Sequence, residues 1–282
     1  MVQLTQRQIP RIAPFFTQMH DTMIQTCLQG NMGSAWADDA HHPACAMLLV
    51  ANFCFLAGEV HSPNAPLLVG SLPPKGYTAD DLYVVAQDDA WTALLLANHP
   101  TAARVSRYAI KHDGDVFDRQ MLRAITGALP SDFCLKRFDE HLYHEALRSD
   151  WSCDMCAHFE NAADYLKRGR GFGILYGGRL ISGASSYTVY NGGIEIEIDT
   201  HKDFRRRGLA LVCGAALILD CLEHGIYPSW DAANLASVRL SEKLGYHFDK
   251  EYKAYCLPVG PAIRDDTEPY RPGEPAVLLS TE

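Results

Sequence analysis

The sequence predicts a mixed α/β protein with a mixed α+β sheet, and three observations carry that expectation. Short apolar runs bounded by turn residues alternate with segments of helical periodicity along the chain. At 282 residues the chain is long enough for two cores, since typical domains hold about 100–150 residues. Its composition, 48% apolar and 21% charged, is that of an ordinary globular protein.

The elements follow in order. Phe15, Met19, Met23 and Cys27 recur every four residues and predict one helical face closed at Gly30. "ACAMLLVA", "FCFLAG" and "DDLYVVAQ" read as strands. "DDAWTALLLANHP" reads as a helix with aspartate at its start and Pro100 beyond its end. "RVSRYAIK" alternates like a strand, and "DRQMLRAITGALP" reads as a helix. After the turn "ALPSD" comes a strand, "FCLKRFD", then a mostly helical stretch from Glu140 to Arg168 capped by Gly169. "GG" and "NGG" turns divide residues 171–200 into three strands. A helix from about Gly208 to Gly225 follows, then a strand in "PSWDAA", a helix in "NLASVRLSEKLG" with Asn234 as N-cap, and one or two closing strands in "YHFDKEYKAYCL".

Charge and patterning exclude several classes. A formal net charge of −9 argues against general nucleic-acid affinity, which needs phosphate-neutralising cations. No stretch reaches the roughly 20 apolar residues that span a bilayer, so no membrane partner is expected. The N-terminus, "MVQLTQRQIPRIAPFF", lacks the continuous apolar run of a signal peptide. With nine cysteines in apolar contexts, among them Cys45, Cys54, Cys213 and Cys221, this points to a reduced, cytoplasmic setting. Cys153 and Cys156 form one C-x-x-C beside His158, with His141 and His144 upstream. No second pair follows, so they are read as thiols on a helix and no metal is expected.

The chemistry concentrates at "GIEIEIDT…DFRRRGLA", residues 193–210. Period-two alternation puts Glu195, Glu197 and Asp199 on one face of a strand. Arg205, Arg206, Arg207 and Gly208 then turn the chain into a buried helix. Cations at a helix N-terminus oppose the helix dipole unless an anion compensates. The free amides of that end, the arginines and the side-chain-free Gly208 together suit a phosphate. No P-loop, dinucleotide fingerprint or nucleophile elbow is present.

Arg205-x-x-Gly208-x-Ala210 resembles the [QR]-x-x-G-x-[GA] signature of the GCN5-related N-acetyltransferases, and "NLASVRLSEKLGY" resembles the family's second element. The resemblance covers roughly residues 131–256 and is nearest to a bacterial branch with a long N-terminal region. It implies an acetyltransferase fold at the C-terminus and acetyl-CoA as co-substrate. The turn would hold the pyrophosphate through Ile198, Asp199, Thr200, Arg205, Arg206, Arg207, Gly208, Leu209 and Ala210. Asn234 and Ser237 would line the pantetheine arm. The implied reaction is direct attack of an amine on the thioester, with Glu195 or Glu197 as base. Many relatives place an acidic tyrosine seven residues after the asparagine; here that position is Ser241. Tyr246, Tyr252 and Tyr255 are the substitutes by chemistry, with Tyr246 taken as the candidate, while Asp231 caps or orients.

The expected organisation is an N-terminal α/β domain over 1–130, serving as a diverged relative or acceptor-specificity module. The acetyltransferase domain spans 131–256 and a Pro-rich tail 257–282. Asp88, Asp89 and Asp118 at helix starts would repel phosphate, so no second coenzyme is expected in the first domain. Asp38 and Asp39 of "WADDAHH" are candidates to attract the amine, or form a plain polar loop. The leading function is N-acetylation of a primary amine. The alternative is a non-catalytic acyl-CoA-binding sensor. The acceptor and the oligomeric state are not readable from the sequence.

Overall fold

The computed structural model describes residues 1–114 and 116–259; most of the tail expected at 257–282 therefore lies outside the described residues. In chain order the elements are β1 (Val2–Gln3), α1 (Thr22–Leu28), β2 (Ser34–Ala37), β3 (Cys45–Val50), β4 (Phe53–Gly58), α2 (Ala65–Gly70), β5 (Asp81–Ala86), α3 (Asp89–Asn98), β6 (Ala103–Ile110), α4 (Arg119–Gly127) and β7 (Phe133–Arg137). Then come α5 (Glu140–Ala146), α6 (Ala162–Arg168), β8 (Gly171–Tyr176), β9 (Arg179–Tyr190), β10 (Gly193–Thr200), α7 (Leu209–Glu223), β11 (Tyr227–Ser229), β12 (Asp231–Ala232), α8 (Leu235–Lys243) and β13 (Phe248–Pro258). No helix of the described residues is long and apolar enough to cross a membrane.

The described residues form two compact units, each assembled from separate segments: 1–114, 116–118, 186–196 and 221–259 in one, 119–185 and 197–220 in the other. The sequence pattern led us to expect consecutive domains meeting near residue 130. The reason for the difference is non-local strand pairing. In the eight-stranded sheet of the first unit, ordered β1-β2-β3-β4-β5-β13-β6-β12, the C-terminal strand β13 lies antiparallel between β5 and β6. Only β4 and β5 pair in parallel there.

At β3 and β4 both faces of that sheet are buried, which is why these strands read as continuous apolar runs. Ala46, Leu48, Val50, Phe53 and Phe55 join one core with Ile12, Phe16, Met23 and Ile24. Cys45, Met47, Cys54 and Leu56 point the other way and pack with Leu68, Trp91 and Leu95. Trp91 is fully buried and donates its indole N–H to the Gly58 carbonyl at 3.0 Å, as a buried indole requires.

The helical face expected across Phe15–Cys27 is broken. A 3₁₀ turn covers Ala13–Phe16, and α1 starts anew at Thr22, with Asp21 as its N-cap accepting from the Met23 amide at 2.8 Å. "PSWDAA" is likewise two strands. β11 runs parallel to β10, whereas β12 pairs antiparallel with β6, and Trp230 separates them.

A second sheet has the order β11-β10-β9-β8-β7. Within the second unit β7, β8 and β9 pair antiparallel. Tyr165 anchors the core beside them. Its ring lies 5.0–6.0 Å from those of Phe159, Tyr143 and Phe138, and its hydroxyl shares a 2.7 Å hydrogen bond with Ser185. Cys153–Met155 form one 3₁₀ turn rather than a longer helix. Cys156 is buried, and that burial pushes its thiol up. Cys45, Cys54, Cys213 and Cys221 are buried, as their apolar contexts indicated.

Candidate active site

The first unit brings three carboxyls together from distant stretches of chain. Glu195 comes from β10, Asp21 from the start of α1 and Asp231 from β12. Glu195 is only 6% exposed. Its Oε2 accepts a short hydrogen bond from the Thr22 hydroxyl. Its Oε1 is buried with no hydrogen-bond partner among the described residues. Burial, then repulsion from Asp21 and Asp231, lifts the Glu195 carboxyl to about 8, while the Thr22 hydroxyl and the Asp231 backbone N–H oppose the rise. Asp21 is lifted to about 7, chiefly by burial and then by Asp231.

Asp231 is the matched member of the group. Its Oδ1 accepts from Arg107 Nε at 2.8 Å and from the terminal nitrogen at 2.5 Å. Its Oδ2 accepts from the Tyr252 hydroxyl at 3.0 Å. Burial lifts Asp231 and the Arg107 guanidinium pulls it back; Arg107 itself is held firmly as a cation by Asp231 and lies 4.9 Å from the Phe53 ring centre. A carboxyl of raised affinity for protons, with one unused buried oxygen, is a group fitted to take a proton near neutral pH.

The second unit holds the arginine turn. A single 3₁₀ turn, Lys202–Phe204, separates the end of β10 from it. Arg205 Nε donates to the Thr200 carbonyl at 2.9 Å, and its terminal nitrogen stands 3.7 Å from Asp199 Oδ1. Thr200 is fixed in turn by a 2.7 Å hydrogen bond shared with Ser182. Arg207 stacks 5.1 Å over the Phe204 ring. Arg206 and Gly208 take left-handed backbone at φ 63° and 78°. A β-carbon built on Gly208 would meet no protein atom within 4 Å. The turn therefore presents exposed arginines and the open face of Gly208 at the N-terminus of the 15-residue helix α7, an arrangement that suits phosphate oxygens. These residues fit the pyrophosphate that the sequence implied. Leu209 is buried behind it and Ala210 half-buried. Ile198, like Glu197, is half-buried on β10.

The other candidates fall elsewhere. Tyr246 is 2% exposed and donates its hydroxyl to the Pro228 carbonyl at 2.6 Å. It packs edge-on against Phe117 and Trp230, so its proton is committed inside the core. Asn234 caps α8 by accepting from the Ser237 amide at 2.9 Å, and Ser237 Oγ accepts from the Trp230 indole at 3.0 Å. Asp38 accepts from the Ala44 and Cys45 amides and Asp39 from those of His41 and His42, a self-contained polar loop. Sequence reasoning missed Asp21, Thr22 and Arg107. The one local signal was the aspartate preceding an apolar helical run, which identifies an N-cap and nothing more.

Comparison with known proteins agrees with this architecture. The pattern of the GNAT acetyltransferase family matches residues 13–255, so the N-terminal region belongs to the match. A Bacillus subtilis (strain 168) protein described as "Uncharacterized N-acetyltransferase YdfB" is 23% identical over 260 residues, covering 90% of this chain and 97% of its own. The crystal structure of a GCN5-related N-acetyltransferase-like protein from Streptococcus suis 89/1591 superposes with a TM-score of 0.81 at 40% identity, over 88% of this chain and 98% of that one. A GCN5-related N-acetyltransferase from Sphaerobacter thermophilus shares the fold at 11% identity, with a TM-score of 0.53 over 94% and 96% of the two chains. A match over most of its length, together with a close structural relative, means that the chain belongs to the GNAT acetyltransferase family.

Proposed function

We propose that this protein transfers an acetyl group from acetyl-CoA to a primary amine, with Glu195 as the base. The observation that carries this reading is the Glu195 carboxyl, buried, lifted to about 8 and left with one unpartnered oxygen. The arginine turn supports the choice of co-substrate: exposed guanidinium groups, a helix N-terminus and the open face of Gly208 suit a pyrophosphate.

In this reading Glu195 takes a proton from the incoming ammonium, and the freed amine attacks the thioester carbonyl. The new C–N bond forms as the C–S bond breaks. Nitrogen gives up a second proton and the departing sulfur gains one. Arg205, fixed by Asp199 and Thr200, and the first amides of α7 hold the coenzyme's phosphates. Asn234 and Ser237 order the start of α8 through their cap, a positioning role. Release of free thiol from acetyl-CoA, followed across a panel of primary amines, tests the proposal. Amine-dependent release supports it, and thiol release indifferent to every amine contradicts it.

A second reading, an acyl-CoA-binding protein without turnover, draws on Ser241. It is fully buried and donates to the Val238 carbonyl at 2.8 Å, so no phenol occupies that position. Coenzyme binding without thiol release would favour this reading.

A further inference from the structure

The acid cluster has three carboxyls and one cation. Asp231 takes two hydrogen bonds from Arg107 and one from Tyr252, so it is matched in charge and in donors. Asp21 and Glu195 are not. Asp21 Oδ1 accepts the Met23 amide, and among the described residues no hydrogen bond reaches its Oδ2. Glu195 Oε1 is buried and unpartnered. Asp21 and Asp231 keep part of their surface accessible whereas Glu195 is enclosed. The two aspartates are thus half-buried, Asp231 with 14% of its side chain exposed, and the glutamate lies deeper.

We infer that Asp21 anchors the acceptor, which enters as a primary ammonium and donates to Asp21 Oδ2 and Glu195 Oε1. The inference rests on the reading of Glu195 as the base and adds the residue and the ionic form of its substrate. An ammonium carries one positive charge and three donors on one atom, which supplies one of the two missing charges and both missing hydrogen bonds. A quaternary ammonium has no donor. A planar guanidinium spends its fork on one carboxylate. The carboxyls are not set in metal-holding geometry among the described residues.

The surroundings set a pH dependence. Asp231 repels both carboxyls, Arg107 favours the ionised Asp21, and Tyr252 also faces Asp21. Tyr190, Tyr227 and Tyr246 face Glu195 as phenols that burial keeps neutral. With Asp21 near 7 and Glu195 near 8, the empty pair retains protons at neutral pH. An entering ammonium favours both ionised carboxylates, so binding releases protons to solvent and strengthens as pH rises from about 6 to about 8.

The test is a carboxyl-carbon NMR titration of the full chain with n-propylammonium chloride. Sodium chloride and tetramethylammonium chloride at equal ionic strength serve as references. The expected result is that the Asp21 and Glu195 midpoints fall by about one pH or more with propylammonium alone. Asp21→Asn should bind propylammonium at least roughly tenfold more weakly, and Asp21→Ser should repeat the loss, since both residues keep the helix cap. Unmoved midpoints, or parental affinity in both variants, would overturn the anchor. Failure of the base reading looks different: midpoints that fall with propylammonium, without transfer to any amine, leave the anchor standing and remove the catalysis. Transfer with an unchanged KM for the amine in both Asp21 variants removes the anchor alone.

Discussion

Thr22 and Glu195, 173 residues apart in the chain, are joined by one hydrogen bond that fixes Oε2 and leaves Oε1 buried and unused. The bond stabilises the ionised carboxyl, so it restrains a proton affinity that burial drives up. A hydrogen bond to a charged group contributes about 1.5–3 kcal/mol, and a tenfold change in proton affinity corresponds to about 1.4 kcal/mol. Thr22→Val should therefore raise proton affinity about tenfold and move the midpoint of the rate–pH profile upward accordingly, and Thr22→Ser should leave it near the parental position. A profile unchanged in Thr22→Val would separate this hydroxyl from the chemistry.

The same two carboxyls make stability fall with rising pH. Their folded values, about 7 for Asp21 and about 8 for Glu195, lie above the ordinary 3.8 and 4.5. The folded state therefore binds more protons than the unfolded chain between about pH 4 and 8. Their favourable contribution is fully present below the ordinary values and is lost as pH rises through the folded ones. Denaturant unfolding across that window should show a decline in this component. Asp21→Asn and Glu195→Gln should each flatten it, and Asp38→Asn, in the polar loop, should leave these two contributions in place.

The arginine turn makes a separate prediction about coenzyme affinity. Arg205→Ala removes a guanidinium that also holds the Thr200 carbonyl. A lost charge-assisted hydrogen bond should weaken acetyl-CoA binding roughly tenfold to a hundredfold. Gly208→Val places a branched side chain on a left-handed residue, φ 78°, in the open space at the head of α7. It should weaken binding at least as much. Calorimetry with acetyl-CoA measures both, and parental affinity in the two variants would move the phosphate site elsewhere.

Much of the local structure was legible in the sequence. Asp88 does cap α3 and accepts from the Trp91 amide at 2.9 Å. Asn234 caps α8, and Gly225 and Gly245 take the positive φ expected beyond helix ends. These features depend on residues three or four apart. The misreadings depend on residues far apart. "PSWDAA" looks continuous, but its halves pair with β10 and with β6, and no local pattern reports a change of partner. The β13 strand lies between β5 and β6, a pairing that no local pattern near residue 130 reports. The site divides the same way. Alternation in "GIEIEID" singled out Glu195. Arg107 and Asp231 meet across 124 positions, and Asp21 announces itself only as a helix cap.

The central claim is that Glu195 removes the proton from an amine acceptor, and a rate–pH profile for the parent and Glu195→Gln tests it most directly. With acetyl-CoA and an accepted primary amine, the parent's kcat/KM for the amine should rise toward about pH 8, where the Glu195 carboxyl of the free enzyme ionises. Glu195→Gln should be slower by roughly 10²–10⁴-fold at neutral pH, with unchanged acetyl-CoA affinity. Its deficit should narrow at high pH, where the amine loses its proton unaided. Parental turnover in Glu195→Gln at neutral pH, with the same profile, would contradict the account.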